Sequence, residues 1–118
     1  MKSLGWKTMV TYLLALFFLS VSSEAFSQIT IKSFNAEWNK ANNVSWVNDL
    51  KDVTTTSYID ITKETKAQSK YKIAVVPTII IFKDVEEVAR FQADLSFKMV
   101  ATREEVQEEI DEQLMSDF

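Results

Sequence analysis

The segment Val75-Val76-Pro77-Thr78-Ile79-Ile80-Ile81-Phe82 is nearly unbroken in apolar residues and holds the only proline of the chain. Thr78 to Phe82 has the length and the β-branched content of a strand buried on both faces. Proline offers no donor to a strand ladder and is kept out of central strands, so Pro77 marks the mouth of this strand and not its interior. A strand covered on both sides needs layers above and below it, which points to a mixed α/β architecture.

The neighbouring segments supply the rest of such an architecture. Ile29 to Phe34 and Thr56 to Ile61 read as strands, the second from its β-branched and aromatic content. Between them, Asn39 to about Lys51 is predicted as a helix, because Val44, Val47 and Leu50 recur at helical spacing with Trp46 beside them. Lys63 to Lys70 predicts a short polar helix. Lys83 to Glu87 reads as a hairpin turn into a strand over Val88 to Ala93. That turn has no glycine for a positive-φ position, so a wider loop around Val85 is expected. Thr102-Arg103-Glu104-Glu105 is a capping box, with Val106, Ile110 and Leu114 stacked behind it on one helical face. The carboxylates of that last helix read as a solvated face. The order is β-α-β-α-β-β-α, a four-stranded mixed sheet with helices on both faces.

The first residues stand apart. Lys2 and Lys7 precede the uncharged run Met9 to Val21, and Ala25 and Ser27 occupy small-residue positions ahead of Gln28. This is the pattern of a secretory signal, residues 1–27, cleaved after Ser27 or after Ala25. An uncleaved membrane anchor is the alternative, although the run falls short of the roughly 20 apolar residues that a spanning helix needs. A single domain over residues 28–118 is then expected, exported to a periplasm or secreted, and touching membrane only through the first segment if that is retained.

Composition removes several functions. The net charge is −4, and no basic stripe is present to meet nucleic acid. The chain has no histidine and no cysteine, so the commonest general base and metal ligand is missing and thiol chemistry is impossible. No metal or other cofactor is implied.

Two separated motifs resemble the thioredoxin family. The first is Lys70-Tyr71-Lys72-Ile73 followed by Val76-Pro77-Thr78, the apolar strand and Lys83-Asp84. The second is Phe34-Asn35-Ala36-Glu37-Trp38, similar to the segment that delivers the family's redox motif. Together they cover most of residues 29–93, without the extra N-terminal strand and helix of full thioredoxins. The resemblance implies the thioredoxin-like fold, with a cis bond before Pro77 facing the start of the first helix. It also implies that the two cysteine positions of the family are Asn39 and Asn42, and that its buried acid falls on Ser33.

What the resemblance implies is thus a redox-inactive binding module. Val75, Val76 and Pro77 would offer backbone to an extended polypeptide, Trp38 would form an apolar rim, and Asn39 and Asn42 would lie beside it. Asn39 also suits the N-cap of the helix. Trp38 has core packing as its alternative. A second function is structural, through the acidic last helix or an aromatic face of Phe91 and Phe97. A carboxylate enzyme built on Glu37 and Asp60 is the third. An apolar surface around Pro77 favours the first of these, and a charged one the second.

Overall fold

A computed structural model describes residues 27–117, and the segment read as a signal lies outside them. Four strands form one mixed sheet: β1 (Ile29–Asn35), β2 (Thr55–Asp60), β3 (Thr78–Lys83) and β4 (Glu86–Gln92). Their spatial order is β2-β1-β3-β4, with β1 and β2 parallel and the other two pairs antiparallel. Helix α1 (Thr65–Lys70) joins β2 to β3, and α2 (Arg103–Met115) closes the chain. The expected four-stranded sheet and element order are therefore present.

The apolar run over β3 is explained by two cores. Side chains alternate across a strand. Ile79 and Ile81 join Ile29 and Ile31 of β1 on one face, under Val106 and Ile110 of α2. Ile80 joins Phe34, Ile59 and Val76 on the other, under Ala67 of α1. Each fully buried isoleucine contributes about 1.5–3 kcal/mol relative to an exposed one. With apolar residues on both sides, a one-position slip of β3 would only exchange one apolar face for another, so its register is set by pairing with β1 and β4.

The predicted helix from Asn39 to Lys51 is corrected. The segment forms two 3₁₀ helices, Glu37–Asn42 and Ser45–Asp49, separated at Asn43 and Val44 by extended backbone. The segment is rich in asparagine, serine and aspartate (Asn42, Asn43, Ser45, Asn48, Asp49), residue types that disfavour an α-helix interior. Of the three residues spaced by three, only Val47 lies inside a 3₁₀ helix, with Val44 and Leu50 as its extended caps. Val47 and Leu50 still reach the first core. The wider loop at Val85 is also corrected. Lys83 pairs directly with Glu86, and Asp84 takes the positive φ of 58° itself. Asp84 is fixed there because its N–H donates to the Gln28 oxygen (2.8 Å) while its carboxylate accepts from the Gln28 N–H (3.1 Å).

The last helix has Thr102 as its N-cap: the Thr102 hydroxyl accepts from the Glu105 N–H at 3.2 Å, and the Glu105 carboxylate meets that hydroxyl at 3.4 Å and not the Thr102 N–H. Its C-terminal end, which has no basic residue of its own, borrows one. Lys83 Nζ donates to the Gln113 oxygen (3.0 Å) and pairs with Asp117 (2.6 Å), placing a cation where the helix dipole favours it. Lys32, a charge on an interior strand, is accommodated by an aromatic cluster. Its Nζ donates to the Tyr71 hydroxyl at 2.9 Å and sits 5.0 Å from the Tyr71 ring and 5.7 Å from the Phe82 ring.

Candidate functional site

The N-terminal ends of β3 and the first 3₁₀ helix bring Trp38, Val75 and Val76 of the expected site to one groove, which Asn39, Asn42 and Pro77 do not line. The Val76–Pro77 bond is cis. Pro77, Val76 and Thr78 are buried, whereas Val75 is half-exposed and Ala74 exposed. The Thr78 hydroxyl donates to the Val75 oxygen at 2.6 Å, which fixes the loop from inside. Among the described residues, the Val75 N–H and both backbone groups of Val76 enter no backbone–backbone hydrogen bond.

Trp38 faces this loop across a groove of about 90 Å³. The side chain is 64% exposed, so it is a rim and not core packing. It is held upright by Phe97, whose ring meets it edge-on at 5.1 Å and 87°. The other groove residues are Ile61, Gln68, Ile73, Ala74, Val75 and Val76, so no charged side chain lines it.

Phe97 is the part of the site that sequence reasoning missed. It comes from the loop after β4 and has φ 63°, an unusual conformation for an aromatic residue. A readable signal lies just before it. The Asp94 carboxylate accepts from the Ser96 N–H (2.9 Å) and the Ser96 hydroxyl (2.5 Å), a local turn of the kind Asp favours. Phe91 does not share a face with Phe97, since Phe91 packs against the first core.

Asn39 and Asn42 are structural neighbours. Asn39 is buried at 6% exposure and lies inside the 3₁₀ helix, so the expected N-cap role is corrected: Ala36 occupies the cap. Asn39 Nδ2 donates to Asn35 Oδ1 (3.0 Å) and to the Phe97 oxygen (3.1 Å). Its Oδ1 accepts from Asn42 Nδ2 at 2.9 Å. Asn35 Nδ2 in turn donates to the Asn39 oxygen (3.1 Å) and to Asn43 Oδ1, which also accepts from the Tyr58 hydroxyl (3.1 Å). Four asparagines thus form one hydrogen-bonded net beneath the groove rim. Ser33 is buried in β1.

Glu37 and Asp60 line one surface groove together with Lys40, Asn43, Tyr58, Lys63 and Glu64. Asp60 accepts from the Thr62 hydroxyl and the Thr62 N–H (2.9 Å), and these bonds hold its carboxyl below the usual range. Glu37 pairs with Lys40 at 3.4 Å on the exposed surface.

No protein-family model and no curated protein matches the chain. Solved structures do. A mutant thioredoxin from Halobacterium salinarum NRC-1 superposes with a TM-score of 0.57 at 17% identity, over 74% of this chain and 75% of that one. Thioredoxin O2 from Arabidopsis thaliana, in its oxidized state, gives 0.52 at 21% identity, over 84% and 88%. Thioredoxin-2 of the malaria parasite, a component of its protein secretion machinery, gives 0.54 at 16% identity, over 73% and 84%. At these identities the likeness establishes the fold. The chain therefore has an α/β thioredoxin-like fold that contains no cysteine, and so no C-x-x-C motif.

Proposed function

We propose that the protein is an exported, redox-inactive module that binds an extended polypeptide in the groove between Trp38 and the Val75–Val76 loop. The observation that carries this reading is the uncharged lining of that groove beside unpaired main-chain groups. An extended segment laid against Val76 would gain main-chain hydrogen bonds in the manner of strand addition. Trp38, Phe97 and Val75 would contact its side chains. With most polar contacts made to backbone, binding is expected to be weak and tolerant of sequence.

Export rests on the lysine-flanked apolar run and the small residues before Gln28. Mass analysis of the protein from its host should give a chain starting near Gln28, and an intact Met1 chain held in the membrane overturns that part. For binding, a partner is first identified by cross-linking pull-down from an envelope extract. Its affinity is then measured against folded Val75→Asp and Trp38→Ala variants and against charge reversals of Glu108 and Glu112. Loss with the first pair supports the groove. Unchanged binding there, with loss on reversing the two glutamates, places the interface on α2 and overturns it.

A further inference from the structure

We propose that β2 pairs edge to edge with β2 of a second copy of this chain, antiparallel about a two-fold axis at Ser57. This goes beyond the groove reading, since none of Thr56, Ser57 and Tyr58 lines the groove.

β2 is an outer strand, and among the described residues β1 is its only strand neighbour. The Ile61 N–H donates to the Asn35 oxygen (2.9 Å) at the end of the parallel ladder. Backbone groups alternate in direction along such a ladder, so Ser57 and Ile59 face β1 while Thr56, Tyr58 and Asp60 face outward. The Asp60 oxygen is taken by the Lys63 N–H (3.1 Å) and the Glu64 N–H (2.9 Å). Thr56 and Tyr58 are left as the open template.

Two outward residues flanking one centre are self-complementary. In the antiparallel pair, Thr56 of one copy lies opposite Tyr58 of the other. Each such pair exchanges two main-chain hydrogen bonds, and the two-fold axis doubles them.

The side chains favour the same arrangement. Edge strands are normally protected by lysine, proline or a bulge. β4, the opposite edge, carries Glu86, Glu87 and Arg90, with a register break between Ile81 and Phe82 on its partner strand. β2 has none of these devices: it reads Thr-Thr-Ser-Tyr-Ile-Asp. Its one charge, Asp60, lies past the start of the copy's strand, because β2 begins at Thr55 and the Thr54 N–H is turned to the Ile29 oxygen (2.8 Å), so no two charged strand residues meet. Tyr58, 53% exposed, falls opposite Thr56, an aromatic–β-branched pair of the type that stabilises antiparallel strands.

The absence of cysteine makes the test direct. In the full chain, Ser57→Cys introduces a single thiol at the two-fold axis. Central non-hydrogen-bonded residues there have Cα atoms about 4.5 Å apart, within disulfide reach. Mild oxidation should yield a covalent dimer on a non-reducing gel. Glu87→Cys on β4, the control for association through any other surface, should stay monomeric. Adding Thr56→Pro to Ser57→Cys removes an outward N–H without touching the β1 ladder and should abolish the dimer. If that variant loses its circular-dichroism signature, Thr56→Glu replaces it, setting a carboxylate diagonal to Asp60 of the copy. Equal cross-linking of the Ser57→Cys and Glu87→Cys chains overturns the proposal. So does an absence of dimer with Ser57→Cys, or a dimer that persists in a folded Thr56 variant.

Discussion

Asn39 donates its side-chain amide to the main-chain oxygen of Phe97 at 3.1 Å, joining segments 58 positions apart. That bond fixes the loop that carries Phe97, and Phe97 in turn props Trp38 at the groove rim. Asn39→Ala should therefore destabilise the fold by about 1–3 kcal/mol, because Asn35 Oδ1 and the Phe97 oxygen lose a buried donor. Asn42→Ala, at a half-exposed position with one bond to Asn39, should cost clearly less. Urea denaturation of both variants checks the order. Equal midpoints would show that the net does not hold the loop.

The same net predicts the outcome of introducing thiols. Asn39 sits at a kink in the first 3₁₀ segment (φ −115°, ψ 17°) three positions before Asn42, and their side-chain amides are already in contact at 2.9 Å. The double variant Asn39→Cys with Asn42→Cys should form an intramolecular disulfide under oxidation, read as a loss of free thiol without dimer on a non-reducing gel. The parent chain should give no turnover in an insulin-reduction assay. Two cysteines that stay reduced would mean that these positions do not correspond to the family's redox pair.

Much of the fold was legible because its signals are strong and local. The apolar run Thr78–Phe82, the capping box at Thr102 and the stacked Val106, Ile110 and Leu114 each require one conformation. The first helix misled because valine and leucine at three-residue spacing suggest one helical face, and only the surrounding asparagine, serine and aspartate residues argue against an α-helix. Trp38, Val75 and Val76 came together as the motifs implied. Phe97 was hidden because its place depends on a long-range bond from Asn39, which no periodicity reports.

Arg90 clamps the end of α1 to β4. Its guanidinium donates to the Tyr71 oxygen (2.7 Å) and the Lys72 oxygen (2.8 Å), and it pairs with Glu87 at 2.9 Å. Arg90→Met should cost about 1.5–3 kcal/mol, since charge-assisted bonds to two carbonyls are lost. The Arg90 hydrogen bond holds the Glu87 carboxyl below its usual range. A lowered folded pKa means that this contribution is present above the unfolded value and is lost as pH falls through the folded one. Glu87 is 41% exposed, so Glu87→Gln should cost only roughly 0.2–1 kcal/mol at neutral pH after solvent screening. The difference from the parent should vanish in acid, as followed by thermal unfolding across pH. A difference that grows in acid would contradict the assignment.

The two tyrosines of the described fold should titrate on opposite sides of the ordinary phenol value. The hydrogen bond from Lys32 lowers Tyr71, whereas burial and then the nearby Asp60 charge raise Tyr58. Ultraviolet titration of the parent against Tyr71→Phe and Tyr58→Phe separates them. Lys32→Met should move the Tyr71 transition upward. For stability, the lowered Tyr71 value adds nothing at neutral pH and appears as pH rises through it.

The central claim is tested most directly by amide hydrogen exchange on the complex with a captured partner. The Val75 and Val76 amides, unpaired among the described backbone bonds, should exchange quickly in the free protein. On binding an extended polypeptide, the Val76 amide should become protected together with the indole N–H of Trp38, while α2 is unchanged. Protection confined to α2, with Val75 and Val76 still exchanging at their free rates, would contradict the account.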